Sequence, residues 1–211
     1  RGATAGRFLS QIGEGLGYVR SHRLVAALIF QIAMSSLFAM SYAVLLPAFA
    51  ADVLRVGEAG LGWMNACVGI GALAGSLGVA FTTRSRYKRQ LIAIGTVGLP
   101  LSLLFFGSAP TFSLSLLALA LVGFNFVTQN ANINTVIQTI IPDELRGRVM
   151  AVYTLMFFGA APFGSLQAGG VAQALGTRAG VLVGASMALV FAVSTVLRVP
   201  ELRRPDPRPG G

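Results

Sequence analysis

The sequence predicts an all-α membrane protein of six transmembrane helices, on three observations: an apolar composition, six long apolar stretches, and basic residues that collect in alternate connections. Hydrophobic residues make up 55% of the 211 positions and charged residues 11%, with a mean hydropathy of +0.74. A soluble domain is less apolar and more charged than this. A bilayer core about 30 Å thick needs roughly 20 apolar residues per helix, so the length holds six or seven spans and no sizeable soluble domain.

The six stretches run over residues 24–50, 58–82, 91–108, 111–141, 149–175 and 178–198. Helix-breaking and polar residues separate them: Asp52 to Glu58, Arg84 to Arg89, Ser108 to Pro110, Pro142 to Arg148, and Gly176 to Arg178. Connections this short place neighbouring helices antiparallel. Residues 1–23 read as a linker with an amphipathic pattern (Arg7, Phe8, Leu9, Ile12, Leu16, Tyr18, Arg20), interrupted by Gly13, Gly15 and Gly17, and residues 199–211 as a Pro-rich disordered tail.

Basic residues decide the orientation. One side of the membrane collects Arg1, Arg7, Arg20 and Arg23, then Arg84, Arg86, Lys88 and Arg89, then Arg146 and Arg148, and finally Arg198, Arg203, Arg204 and Arg208. The other side has only Arg55 and Arg178. Cytoplasmic connections hold the excess of Lys and Arg, so an even number of spans with both termini in the cytoplasm fits, and a missing or seventh helix would spoil the alternation. The net charge of +9 is thereby a feature of loops beside lipid headgroups. It is not a nucleic-acid surface, since no aromatic RNA-binding motif accompanies it.

Several chemistries are absent from the sequence. Cys67 is the only cysteine, so neither an internal disulfide nor a cysteine pair for zinc can form. His22, the only histidine, lies outside the spans, and there is no phosphate-binding loop, no metal-ligand cluster and no GxSG serine of a membrane protease. No enzyme activity, metal or cofactor is expected. No carboxylate lies within a span, so an intramembrane proton carrier is expected elsewhere. The chain starts at Arg1 rather than Met and reads as a piece of something longer.

The fourth stretch is the most informative. Asn125, Thr128, Gln129, Asn130, Asn132, Asn134, Thr135, Gln138 and Thr139 share one apolar helix. At 100° per residue, Asn125, Thr128, Gln129, Asn132, Thr135 and Thr139 fall on one face, and Asn130, Asn134 and Gln138 on the opposite one. One face lines a polar cavity while the other bonds a neighbouring helix, or all of them join helices together. On the first stretch Gln31, Met34, Ser35, Phe38, Ser41 and Tyr42 share a face, a mixture suited to a partly apolar ligand or to core packing. The candidate substrate-binding set is Gln31, Ser35, Phe38, Tyr42, Asn125, Gln129, Asn132, Tyr153 and Phe157, with walls from the first, fourth and fifth spans.

Two further groups stand out. Gly71 and Gly75 are spaced as GxxxG, and the fifth span carries Gly159, Pro162 and Gly164. Small residues let helix backbones approach in lipid, either as fixed packing or as faces that slide. Gly71 to Leu77 echoes Gly159 to Leu166 with one insertion. These are the middle helices of two three-helix units, the pattern of a 3+3 inverted repeat. Asp143, Glu144, Arg146 and Arg148, with Arg84, form the candidate charge cluster at the basic surface. It is either a helix start or a conformational gate.

Asn132-Ile133-Asn134-Thr135-Val136-Ile137-Gln138, the loop Pro142-Asp143-Glu144-Leu145-Arg146-Gly147-Arg148 and Phe158-Gly159-Ala160-Ala161-Pro162-Phe163-Gly164 together resemble the major facilitator superfamily, most of all its bacterial drug and siderophore exporters of the enterobactin-exporter type. That resemblance implies the carboxy-terminal half of a twelve-helix fold. It further implies alternating access without a cofactor, a missing amino-terminal six-helix half, membrane lipid around it, and a place in the bacterial inner membrane. The family's charged motif after the second helix of each half keeps its basic part here in Arg84, Arg86, Lys88 and Arg89, but Thr82 and Thr83 stand near where its aspartate belongs. The implied function is export of a drug-like or siderophore-like amphipathic compound. The alternative is a self-contained six-helix scaffold or anchor without transport.

Overall fold

The computed structural model describes residues 13–82 and 88–202. Arg84, and the greater part of both the terminal linker and the tail, lie outside the described residues. Among the described residues six helices are long and apolar enough to cross a membrane: α1 (Arg23–Val53), α2 (Gly57–Thr82), α3 (Lys88–Ser108), α4 (Phe112–Ile140), α5 (Asp143–Leu175) and α6 (Thr177–Arg198). Residues 13–21 form a short helix ahead of them, and Pro200–Leu202 a single tight turn behind.

Local chemistry sets the ends. Arg55 and Gly57 take left-handed backbone (φ 55° and 66°) to reverse the chain between α1 and α2, and Gly176 (φ 92°) alone joins α5 to α6. The Thr111 hydroxyl accepts the Leu114 N–H at 3.4 Å as the N-cap of α4. Pro142 precedes α5, with Asp143 and Glu144 in its first turn against the helix dipole. The charged run is therefore the first two turns of a 33-residue helix, which begins six residues before the apolar stretch does.

α1 is not a uniform helix. Met40 N–H reaches the Ser35 carbonyl at 2.9 Å and Leu54 N–H the Phe49 carbonyl at 3.0 Å, both i→i+5 bonds that open two wide π turns. The second follows Pro47, which has no N–H to donate. The first is accommodated by glycines on two neighbours: a Cβ at Gly164 of α5 would strike the Leu37 carbonyl, and one at Gly184 of α6 would lie 2.8 Å from that of Phe38. The Ser36 hydroxyl donates to the Phe157 carbonyl of α5 at 2.6 Å, one residue before the carbonyl that Pro162 leaves without its helical donor.

The packing follows an inverted repeat in its main contacts. α2 packs on α4, and α5 on α1; α3 packs on α4, and α6 on α1; α3 and α6 pack on each other. Exchanging α1, α2, α3 with α4, α5, α6 maps these contacts onto one another, whereas the packing of α5 on α6 and of α1 on α2 has no comparable counterpart between α2 and α3 or between α4 and α5. The GxxxG glycines sit at the α2–α4 crossing, where Gly71 meets the Ala120 backbone, Gly75 the Phe124 carbonyl and, reciprocally, Gly123 the Val68 backbone. The two middle helices are also the least enclosed: 17% of the most apolar stretch of α2, and of α5, is buried, against 39–56% in the other four. Ile70, Leu73, Leu77 and Phe81 of α2 and Phe158, Phe163 and Leu166 of α5 are exposed. Gly62 and Gly69 on α2 and Gly169 and Gly170 on α5 face open space, and Gly159 meets only the Leu155 side chain at 3.9 Å.

Two apolar cores lie inside. One, toward the end of the bundle that carries Arg23, Arg148 and Arg198, is built around Leu28, Ile32, Ile92, Ile133, Ile137 and Val149. The other, toward the opposite end, is built around Phe49, Met64, Leu99, Phe106 and Leu119. Between them α1, α3 and α4 contribute a buried polar layer, with Gln31, Ser35, Thr96, Asn125, Thr128, Gln129 and Asn132 among its members.

Candidate functional site: an amide and aromatic cleft between α4 and α5

α4 and α5 are not packed backbone to backbone along their length, and the seam opens into a cleft of about 480 Å³ lined by Phe126, Val127, Asn130, Ala131, Asn134 and Tyr153. Side chains bridge it. The Tyr153 hydroxyl donates to the Asn130 Oδ1 at 3.4 Å, and the rings of Phe126 and Phe157 lie 6.4 Å apart, with Phe158 edge-on to Phe157 at 5.0 Å. Asn130 Nδ2 donates back to the Phe126 carbonyl at 3.0 Å, which fixes the amide with its oxygen toward Tyr153. Asn134 Oδ1 accepts from Gln138 Nε2 one turn further on. Spacing of i, i+4 and i+8 places Asn130, Asn134 and Gln138 in one row. The cleft therefore offers aromatic faces at one end and amide donors and acceptors at the other, a lining suited to an amphipathic guest.

The candidate substrate residues divide between two places. Tyr153 lines the cleft and Phe157 borders it through its ring contact. The other seven belong to the bundle interior or its α6 side. Asn125 donates to the Ser102 hydroxyl of α3 at 3.1 Å and to the Leu121 carbonyl at 2.9 Å, and Asn132 to the Thr128 carbonyl at 2.8 Å. Gln129 is wholly buried, its backbone 3.0 Å from where a Cβ on Gly95 would stand, and neither of its amide atoms has a protein hydrogen-bond partner. Gln31 and Ser35 are buried on α1, Phe38 stacks on Phe191 of α6 at 5.5 Å, and Tyr42 meets Phe106 of α3 edge-on at 6.4 Å. On α4, Asn125, Thr128, Gln129 and Asn132 of one face are buried, Thr135 of that face is half-buried and Thr139 exposed, while Asn130 and Asn134 of the other face are half-buried and Gln138 is exposed. Which face is covered depends on α3 packing against α4 through Gly95 and Gly98, and periodicity is blind to that.

The charge cluster also divides. Arg146, half-buried, pairs with the exposed Asp143 at 2.5 Å within the first turns of α5, and a pair so open to solvent contributes little. Arg148 instead reaches Glu14 of the preceding helix, where Gly15 approaches so closely that a Cβ there would lie 2.7 Å from the Arg148 carbonyl. Val19 of the same helix is buried in the core that contains Val149, Val152 and Tyr153. The docked helix thus touches the residues behind the cleft. Glu144 is exposed. Among the described residues no group of histidine, cysteine and carboxylates is arranged to hold a metal.

Among the described residues, six helices long and apolar enough to cross a membrane, with a polar and aromatic cleft on one flank, define a polytopic membrane protein. The transmembrane secretion effector family matches residues 2–209, and the chain belongs to that family, within the major facilitator superfamily. Among its relatives, the multidrug efflux pump Tap of Mycolicibacterium fortuitum is 33% identical over 201 residues, covering 94% of this chain and 48% of the pump. The Mycobacterium tuberculosis pump of the same name is 29% identical over 202 residues, covering 95% and 48%. The enterobactin exporter EntS of Escherichia coli is 28% identical over 161 residues, covering 76% and 38%. The chain spans about half the length of the curated relatives it matches. The relatives are named as a multidrug efflux pump and an enterobactin exporter.

Proposed function

We propose that this chain supplies one wall of an alternating-access path that exports a small amphipathic compound, and that the α4–α5 cleft is the part of this wall that touches the substrate. The single observation that carries the reading is the cleft itself, with Phe126, Tyr153 and Phe157 beside Asn130 and Asn134 on a seam the bundle leaves open. The kinship with drug and siderophore pumps supports the substrate class. A second six-helix unit forms the other wall, seated on the exposed faces of α2 and α5. The coverage of about half of each Tap pump and the symmetric exposure of these two helices support that arrangement. The basic end faces the cytoplasm of a bacterial cell and the protein lies in its inner membrane, a reading supported by the distribution of Arg and Lys.

A contrast between two faces of α4 tests the assignment. In the whole protein, Asn130→Leu removes a cleft amide and is expected to lower efflux of a fluorescent amphipathic dye about tenfold at normal abundance, the loss of ~1.4 kcal/mol of substrate interaction. Gln129→Leu removes buried polar atoms that have no protein partner, so abundance and thermal midpoint should hold or rise, and efflux should persist. Lost efflux in Gln129→Leu with normal efflux in Asn130→Leu would move the substrate path to the interior face.

A further inference from the structure

We propose that the groove between α1 and α6 at the basic end is a binding site for one anionic diacyl phospholipid. The groove, about 270 Å³, is lined by Ala26, Ala27 and Phe30 of α1 and by Ser194, Thr195 and Arg198 of α6. It is charged at one end and apolar at the other. At its mouth Arg23 Nη2 donates to the Arg198 carbonyl at 2.7 Å, carrying a guanidinium to the end of α6, where unpaired carbonyls concentrate negative partial charge. The Arg198 side chain is exposed beside it. Among the described residues no carboxylate lines the groove.

Deeper along the helices the surface becomes aromatic. Phe30, 46% exposed, meets Phe191 edge-on at 5.9 Å, and Phe191 stacks on Phe38 at 5.5 Å. At 1.5 Å per residue, the eight residues from Phe30 to Phe38 extend an acyl-chain track by about 12 Å. The alanines leave the upper groove open enough for a glycerol backbone, and the two guanidiniums suit a phosphodiester, which a guanidinium binds through paired hydrogen bonds. A free phosphate would use the mouth and leave the apolar track unused. A neutral phospholipid would use the track and gain little from the mouth. Only an anionic lipid matches both ends.

The test uses the whole protein in a neutral detergent, with phosphatidylglycerol and phosphatidylcholine of identical acyl chains titrated separately and bound lipid counted by native mass spectrometry. One phosphatidylglycerol should be retained in preference to phosphatidylcholine. Arg198→Gln should weaken phosphatidylglycerol about fivefold, the factor associated with one basic residue at a lipid surface, and leave phosphatidylcholine unchanged. Ala27→Phe, which fills the groove without changing charge, should abolish the retained lipid and serves if Arg198→Gln does not fold. Equal binding of the two lipids, displacement of the lipid by inorganic phosphate alone, or undiminished phosphatidylglycerol in Ala27→Phe would overturn the site.

Discussion

Gly71→Leu should leave almost no folded protein in the membrane. α2 and α4 approach at this point so closely that even one added carbon would overlap the Ala120 carbonyl, and Gly75 and Gly123 hold the same crossing on either side. The obstacle is backbone in the middle of a helix, so no rotamer change relieves it. Overpacking of this kind costs about 3 kcal/mol or more, roughly a hundredfold in the folded population. In lipid, close packing is itself the force that joins helices, so parting α2 from α4 also forfeits the contacts around it. Gly62→Leu on the same helix provides the control, because a Cβ there would meet nothing within 4 Å. Quantified immunoblots of membrane fractions check both: Gly71→Leu should fall below about a tenth of wild type, and Gly62→Leu should stay near it.

Tyr153→Ala should produce the largest loss of transport among changes at the cleft. The ring closes the α5 side of the opening, while its hydroxyl makes a long bond to Asn130 at 3.4 Å. A bond of that length adds little. Burying an aromatic face against a guest contributes on the order of 2 kcal/mol, so the ring accounts for most of the effect and the hydroxyl for a small remainder. Efflux in Tyr153→Ala is therefore expected to drop more than tenfold, whereas Tyr153→Phe keeps most of it. Because Tyr153 also packs in the core at the basic end with Val149 and Val152, Tyr153→Leu separates the roles: it restores bulk to the core without an aromatic face. Efflux per folded molecule, from dye export normalised to abundance, should stay low in Tyr153→Leu. Full recovery there would make Tyr153 a packing residue.

Much of the fold was legible in the sequence, because lipid imposes a length and a polarity on every span. The stretches at 58–82, 91–108, 111–141 and 178–198 fall within a few residues of α2, α3, α4 and α6. The two misplaced ends have physical causes. α5 starts at Asp143 because carboxylates in a first turn favour a helix even where hydropathy is low. α1 runs on to Val53 because a π turn absorbs the disturbance around Pro47 instead of ending the helix.

The site was legible only in part. The amides of α4 announce a polar helix, and their spacing resolves two faces, but both faces are polar and hydropathy gives them the same weight. What assigns them is Gly95 and Gly98 on α3, whose missing side chains let α3 close over Gln129 and Asn125 and leave Asn130 and Asn134 on the open seam. Arg148 shows the same limit. Its sequence neighbours offer Asp143 and Glu144 as partners, and the fold pairs it with Glu14, 134 residues away.

The central claim is that substrate occupies the α4–α5 seam and not the interior of this bundle. Thiol labelling tests it directly, with single cysteines introduced as Asn134→Cys, in the cleft, and Ser194→Cys, in the groove beside α1, after Cys67→Ser removes the native thiol. In membranes that carry the whole protein, saturating substrate should slow maleimide labelling at position 134 several-fold and leave position 194 unchanged. Equal labelling at position 134 with and without substrate, in a variant that still exports, would contradict the account.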